Sequence, residues 1–190
     1  FTARLTEYRG EKILIENKEK NDAVLEELKK GEFVVKSLEE KDRTRRAAAP
    51  FTTSSLQQDA ANKLNFSTRK TMMIAQQLYE GIEVKGRGTI GLVSYIRTDS
   101  VRISDEARAA SREFIVNTMG EQYYGNNVYK NRKKDVQDAN EAIRPSNVEL
   151  HPDDIKDSLS KDQYGLYKLI WSRFVASRMA SAIPSPRWNR

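Results

Sequence analysis

Apolar and polar residues alternate through FTARLTEY and again through KILIENK, with Gly10-Glu11 between them as a hairpin turn. The period then changes. In DAVLEELKK the apolar residues recur at helical spacing, Asn21 or Asp22 can cap the helix, and Gly31 stops it. EFVVKSLEEK returns to a strand-like run, so residues 1–46 read as a β-β-α-β segment with few apolar positions for a core of its own.

KDRTRRAAAP, residues 41–50, is basic, then small, then proline, which marks a boundary between parts of the chain. Arg43, Arg45 and Arg46 can meet phosphate or simply form a solvated charge run. From 51 to 80 the pattern predicts two helices. Ser54 and Gln57 have capping-box spacing, Asn65-Phe66-Ser67 turns the chain, Ser67 or Thr68 caps the second helix, and Gly81 ends it. The pair resembles a helix-turn-helix unit, and Met72, Met73, Ile74 and Leu78 read as its core.

After the glycine-rich VKGRG comes a predicted strand, GTIGLVSYIR, and then a helix, DEARAASREFIVNTM, capped by Ser104 and closed by Gly120. Its acidic first turn suits the positive end of the helix dipole. A polar, aromatic loop and the run ANEAIRPSNVEL lead to a helix start at LHPDD. In the final helix, KDQYGLYKLIWSRFVASRMA, Leu166, Leu169, Ile170 and Phe174 repeat at core spacing. The fold class is therefore α+β: a β-rich segment over 1–46, a mainly helical domain over 47–183, and a tail over 184–190.

Composition narrows the functions. The 190 residues are 38% hydrophobic and 32% charged, which suits a packed soluble chain. The net charge of +6 and isoelectric point near 9.4 favour a polyanionic partner. With no cysteine there are no disulfides, zinc-thiolate sites or thiol chemistry. No stretch approaches the roughly 20 apolar residues of a membrane span and no signal peptide is visible, so a cytoplasmic location is expected. The opening at Phe1, inside a strand-like run, suggests a piece of a longer chain.

The chemistry concentrates in GLVSYIRTDS. In an extended chain residues i and i+2 share a face, so Tyr95 and Arg97 point the same way, with Asp99 next. A phenol ionises near pH 10 and needs a cation beside it to act as a nucleophile at neutral pH. Arginine provides that charge and can grip a phosphate oxygen. Taken alone, the pair reads more readily as an ordinary structural tyrosine than as a nucleophile.

GLVSYIRTDS resembles the nucleophile motif of the bacterial type IA DNA topoisomerases, in which a G-L-[IV]-[ST]-Y-x-R-T-D-S run holds the reactive tyrosine. PFTTSSLQQDAANKLNFSTRKTMMIAQQLYEG, DANEAIRPSNV and LYKLIWSRFVASRM resemble further blocks of that family, in the same order, over roughly residues 50–180. The resemblance implies that Tyr95 attacks single-stranded DNA to leave a 5′-phosphotyrosyl link, with Arg97 on the scissile phosphate. Strand passage through the break would relax negatively supercoiled DNA without ATP, and the β-rich start corresponds to part of the gate-forming arch.

One position departs from the family. Asn140 stands where the family usually has histidine; asparagine can hydrogen-bond to phosphate but carries neither charge nor proton at neutral pH. His151, the single histidine, lies in LHPDD and reads as a surface or capping residue. Arg144 can contact DNA or pair with Glu141. The family's magnesium is held by acidic residues of a separate Toprim domain, and no comparable carboxylate cluster is legible here. Magnesium is therefore expected for the intact enzyme but not in this segment, which is expected not to relax DNA alone. The alternative is a non-enzymatic DNA-binding module built on the helix pair at 54–80. It would bind duplex DNA in a salt-sensitive way and have no need of Tyr95.

Overall fold

The computed structural model describes residues 4–8, 10–35, 44–129 and 140–182. Among them are five α-helices and two small antiparallel sheets of two strands each, a mixed α+β chain dominated by helix. Two compact units divide it, Phe1–Lys41 and Asp42–Arg190. No helix among the described residues is long and apolar enough to cross a membrane.

In the first unit β1 (Glu7–Tyr8) pairs with β2 (Glu11–Lys12), and Gly10 turns the chain at φ +86. Glu11, expected in the turn, is already in the second strand. Helix α1 (Lys18–Lys30) starts before the expected Asn21 or Asp22, because the Asn17 side chain accepts from the Lys20 N–H at 2.8 Å. Gly31 ends it, donating to the Leu28 carbonyl at 3.2 Å. The third strand expected from EFVVKSLEEK is absent over 32–35, where Phe33, Val34 and Val35 are exposed; 36–41 lie outside the described residues. Apolar residues alone do not make a strand without an edge to pair with. Val24 is the one buried hydrophobic residue among those described in this unit, in keeping with its sparse apolar pattern.

The second unit is built on α2 (Thr53–Leu64), α3 (Thr68–Glu80), the hairpin β3 (Ile82–Val84) and β4 (Gly88–Ile90), α4 (Asp105–Thr118) and α5 (Lys161–Arg178). Helix α2 is capped by Thr52, in a reciprocal pair with Ser55, and not by Ser54 with Gln57. Phe51 is fully buried and its backbone bridges Ile143, so the chain is held extended up to 51 and the helix can begin immediately afterwards. Asn65 takes the left-handed conformation between α2 and α3, and Ser67 caps α3. The buried stripe of α3 is Thr71, Ile74, Ala75 and Leu78, spaced i, i+3, i+4, i+7. Met73 falls outside that stripe and is 55% exposed, so it is surface and not core.

Helix α5 packs against α2, α3 and α4. Leu166, Tyr167, Ile170, Trp171, Phe174 and Val175 are buried along it, and Leu169 is half-buried against the same core. The Tyr167 hydroxyl donates to the Leu150 carbonyl at 2.7 Å and Trp171 Nε1 to the Val148 carbonyl at 2.9 Å, pinning the 147–151 segment. Burial pushes the Tyr167 phenol up from its ordinary value. LHPDD does not start a helix. The Asp154 N–H reaches the His151 carbonyl at 3.0 Å across Pro152, a β-turn with proline at its favoured second position. His151 packs edge-on to Trp171 and accepts from the Asp153 N–H at 3.3 Å, a local capping role.

Of the basic boundary run, Arg45 bridges Ala182 by backbone, and Arg46 donates to the Val128 carbonyl at 3.2 Å. Arg43 and the 184–190 tail lie outside the described residues.

Candidate active site around Tyr95

The segment carrying Tyr95 is not the long strand its alternation suggests. Regular pairing ends at Ile90; beyond it a single bridge joins Val93 to Pro145, and the backbone bends at Ile96–Arg97. Burial still alternates through the bend: Ile96, Thr98 and Ser100 are buried, while Tyr95, Arg97 and Asp99 are exposed. The ladder is replaced by contacts from three directions.

The first is the end of α3. The Leu92 N–H donates to the Leu78 carbonyl at 2.7 Å, and a Cβ on Gly91 would lie 2.7 Å from the Tyr79 carbonyl oxygen, so only glycine permits this approach. The second is the 142–146 segment. Ser94 N–H donates to the Arg144 carbonyl at 2.9 Å and Ser146 N–H to the Leu92 carbonyl at 2.9 Å. The Ser94 hydroxyl donates to the Ala142 carbonyl at 2.9 Å and accepts from the Arg144 N–H at 3.0 Å. The third is the start of α2, where the Thr53 N–H donates to the Thr98 carbonyl at 2.9 Å. The Thr53 hydroxyl donates to the Ile96 carbonyl at 2.8 Å and accepts from the Thr98 N–H at 2.9 Å.

On this frame Tyr95 is 47% exposed, with its ring edge-to-face with Tyr79 at 5.7 Å between centroids. Among the described residues neither the Tyr95 hydroxyl nor the Arg97 guanidinium has a hydrogen-bond or ion-pair partner. Both donors are therefore open to a ligand. Asn140 is exposed at the start of the neighbouring segment.

Arg144 differs. Its Nε and Nη2 donate to Glu141 at 2.9 and 2.8 Å, and Nη1 donates to the Pro145 carbonyl at 3.0 Å, with only 17% of the side chain exposed. Of the two roles open to it in the sequence, the pairing with Glu141 is the one formed. Burial alone would push the Glu141 carboxyl up. Hydrogen bonds from Ser104 and Arg144, with the charges of Arg144 and Arg102, outweigh that and hold it below its ordinary value. Among the described residues no three His, Cys, Asp or Glu side chains gather to hold a metal ion.

Thr53 and Tyr79 were not singled out by the sequence reading. Both lie within a run that resembles a known block, but their contacts to the Tyr95 segment cross 43 and 16 residues, as in Thr53 to Ile96 and Tyr79 to Tyr95, and have no local signature.

A family model described as DNA topoisomerase matches residues 2–186. Among solved structures the chain is similar to full-length topoisomerase I from Thermotoga maritima in a monoclinic crystal form. That match has 40% identity and a TM-score of 0.69, and covers 92% of this chain and 27% of that one. The chain thus spans about a quarter of the length of that protein.

Proposed function

Because the chain belongs to the bacterial type IA DNA topoisomerase family, we propose that Tyr95 is the nucleophile of a reaction that cuts and reseals one DNA strand. Arg97 holds the phosphate under attack. The observation that carries this is the pairing of two exposed donors, phenol and guanidinium, that have no partner among the described residues and that alternate with buried residues along the segment.

In the cleavage step the Tyr95 phenolic oxygen bonds to phosphorus as the bond from phosphorus to the 3′ oxygen breaks. One proton leaves the phenol and one is taken up by the departing oxygen. The products are a 5′-phosphotyrosyl link and a free 3′-hydroxyl. One phosphodiester has replaced another, so resealing is the same reaction reversed and needs no ATP. Arg97 favours the phenolate and spans the charge that builds on the phosphate oxygens. Asn140 offers an uncharged hydrogen bond to the phosphate. Arg144, engaged with Glu141, holds the 142–146 segment against Ser94, and its remaining N–H groups are what it can offer to DNA.

The substrate is single-stranded DNA exposed in a negatively supercoiled molecule, and passage of another strand through the break relaxes it. The resemblance implies magnesium held by a separate Toprim domain. The described residues here do not form such a site.

The test uses the full-length enzyme with magnesium, single-stranded DNA labelled at its 3′ end and a denaturing gel. Wild type is expected to give a labelled protein band that Tyr95→Phe reduces to background. A band that persists in Tyr95→Phe would put the nucleophile elsewhere. DNA binding by both proteins with no band from either would favour the non-enzymatic helix-turn-helix module.

A further inference from the structure

We infer that Thr53, in the first turn of α2, is a positioning residue that acts through Arg97; the inference rests on the roles proposed above for Tyr95 and Arg97. Arg97 lies at a bend, and among the described residues it has neither a ladder partner nor a hydrogen-bond or ion-pair partner for its guanidinium. A guanidinium that must meet a phosphate in a fork geometry needs a fixed backbone beneath it. Two peptide groups bracket Arg97: one ends in the Ile96 carbonyl, the other in the Thr98 N–H. Both are held by the same oxygen. Thr53 Oγ1 donates to the Ile96 carbonyl at 2.8 Å and accepts from the Thr98 N–H at 2.9 Å.

The Thr53 backbone N–H adds a third bond, to the Thr98 carbonyl at 2.9 Å. As one of the first four N–H groups of a helix it has no partner within α2, so it is free to serve this contact. Thr53 itself is held from the other side, because Phe51 is buried and Thr52 with Ser55 closes the start of the helix. The hydroxyl therefore links a rigid helix end to the two torsions that aim Arg97. Neither its hydrogen bonds nor its half-buried position leaves it free to touch DNA as a donor.

The experiment is single-turnover cleavage by the full-length enzyme at saturating single-stranded DNA, comparing wild type with Thr53→Val, Thr53→Ser, Arg97→Lys and the Thr53→Val/Arg97→Lys double variant. Valine keeps the shape and removes the hydroxyl, and a loss on the order of tenfold in cleavage rate is expected. Serine restores the hydroxyl and is expected to stay within about twofold of wild type. Lysine presents a point charge on a flexible stem and depends less on where its backbone points. In that background Thr53→Val is therefore expected to cost less than about twofold. Thr53→Val cleaving at the wild-type rate would overturn the inference, as would Thr53→Ser being as slow as valine. So would an equal loss in both backgrounds, which would make Thr53 a support of the fold alone. Tyr95→Phe runs alongside: an adduct that survives there defeats the proposed nucleophile and not the role of Thr53.

Discussion

Asn140, where the resemblance implies histidine, is exposed two residues before the run that meets Ser94, and the difference is testable. An amide offers the phosphate a hydrogen bond of constant strength across neutral pH, whereas an imidazole adds a positive charge when protonated. In the full-length enzyme Asn140→His is expected to cleave faster than wild type on the acid side of about pH 6.5, the ratio falling toward one as pH rises through that value. Adduct formation measured across that range checks it, and a flat ratio would remove position 140 from the phosphate site. Arg144 teaches the opposite lesson at the same scale. An arginine next to such a segment looks like a DNA contact, but its half-buried carboxylate partner already claims three of its donors together with Pro145.

At the level of elements, the Tyr95 segment is a bent strip held by α2, α3 and the 142–146 run, not a strand within a sheet. Its junction with α3 is the tightest point, because the Gly91 backbone passes directly over the Tyr79 carbonyl. Gly91→Ala would place a methyl 2.7 Å from that oxygen and force the Leu92–Leu78 hydrogen bond apart. A destabilisation of about 1–3 kcal/mol is expected, read as a lower urea midpoint at unchanged slope. An unchanged midpoint would mean that the hairpin and α3 do not meet this closely. The caps of α1 and α2 fall on Asn17 and Thr52 and not where the sequence placed them, but Ser67, Ser104, Gly31 and Gly81 were legible, each acting through backbone groups a few residues away. The extent of the strand was not, since pairing depends on residues some 50 positions distant.

On the scale of the whole molecule, carboxylates held by cations couple stability to pH. Glu141 is kept ionised by Ser104, Arg144 and Arg102 against the effect of its burial, and Asp59 by Lys63 and Arg173 against its own. A carboxyl whose folded value lies below its unfolded one contributes fully above the unfolded value and loses that contribution as pH falls through the folded value. For Glu141 the loss therefore sets in below about 4.5, the value of the free group. Glu141→Gln is expected to lower stability at pH 7 by about 1–2 kcal/mol and to make the decline below that pH shallower. Urea titrations at neutral and acid pH test this, and an unaltered acid limb would show that the pair with Arg144 carries no pH-dependent stability.

The sequence by itself determined the α+β class, the caps at Ser67 and Ser104, the basic charge, the absence of thiol chemistry and the alternate exposure that Tyr95 and Arg97 share. All of these depend on composition or on periods of a few residues. Tertiary structure decided which of four adjacent hydroxyls caps α2, which methionine faces solvent, and that Arg144 is spoken for while Arg97 has no partner among the described residues. It also decided that a threonine 44 residues before Arg97 holds the peptides on either side of it. Such outcomes turn on which distant groups become neighbours, and a burial pattern records that a residue is inside without recording what it meets there.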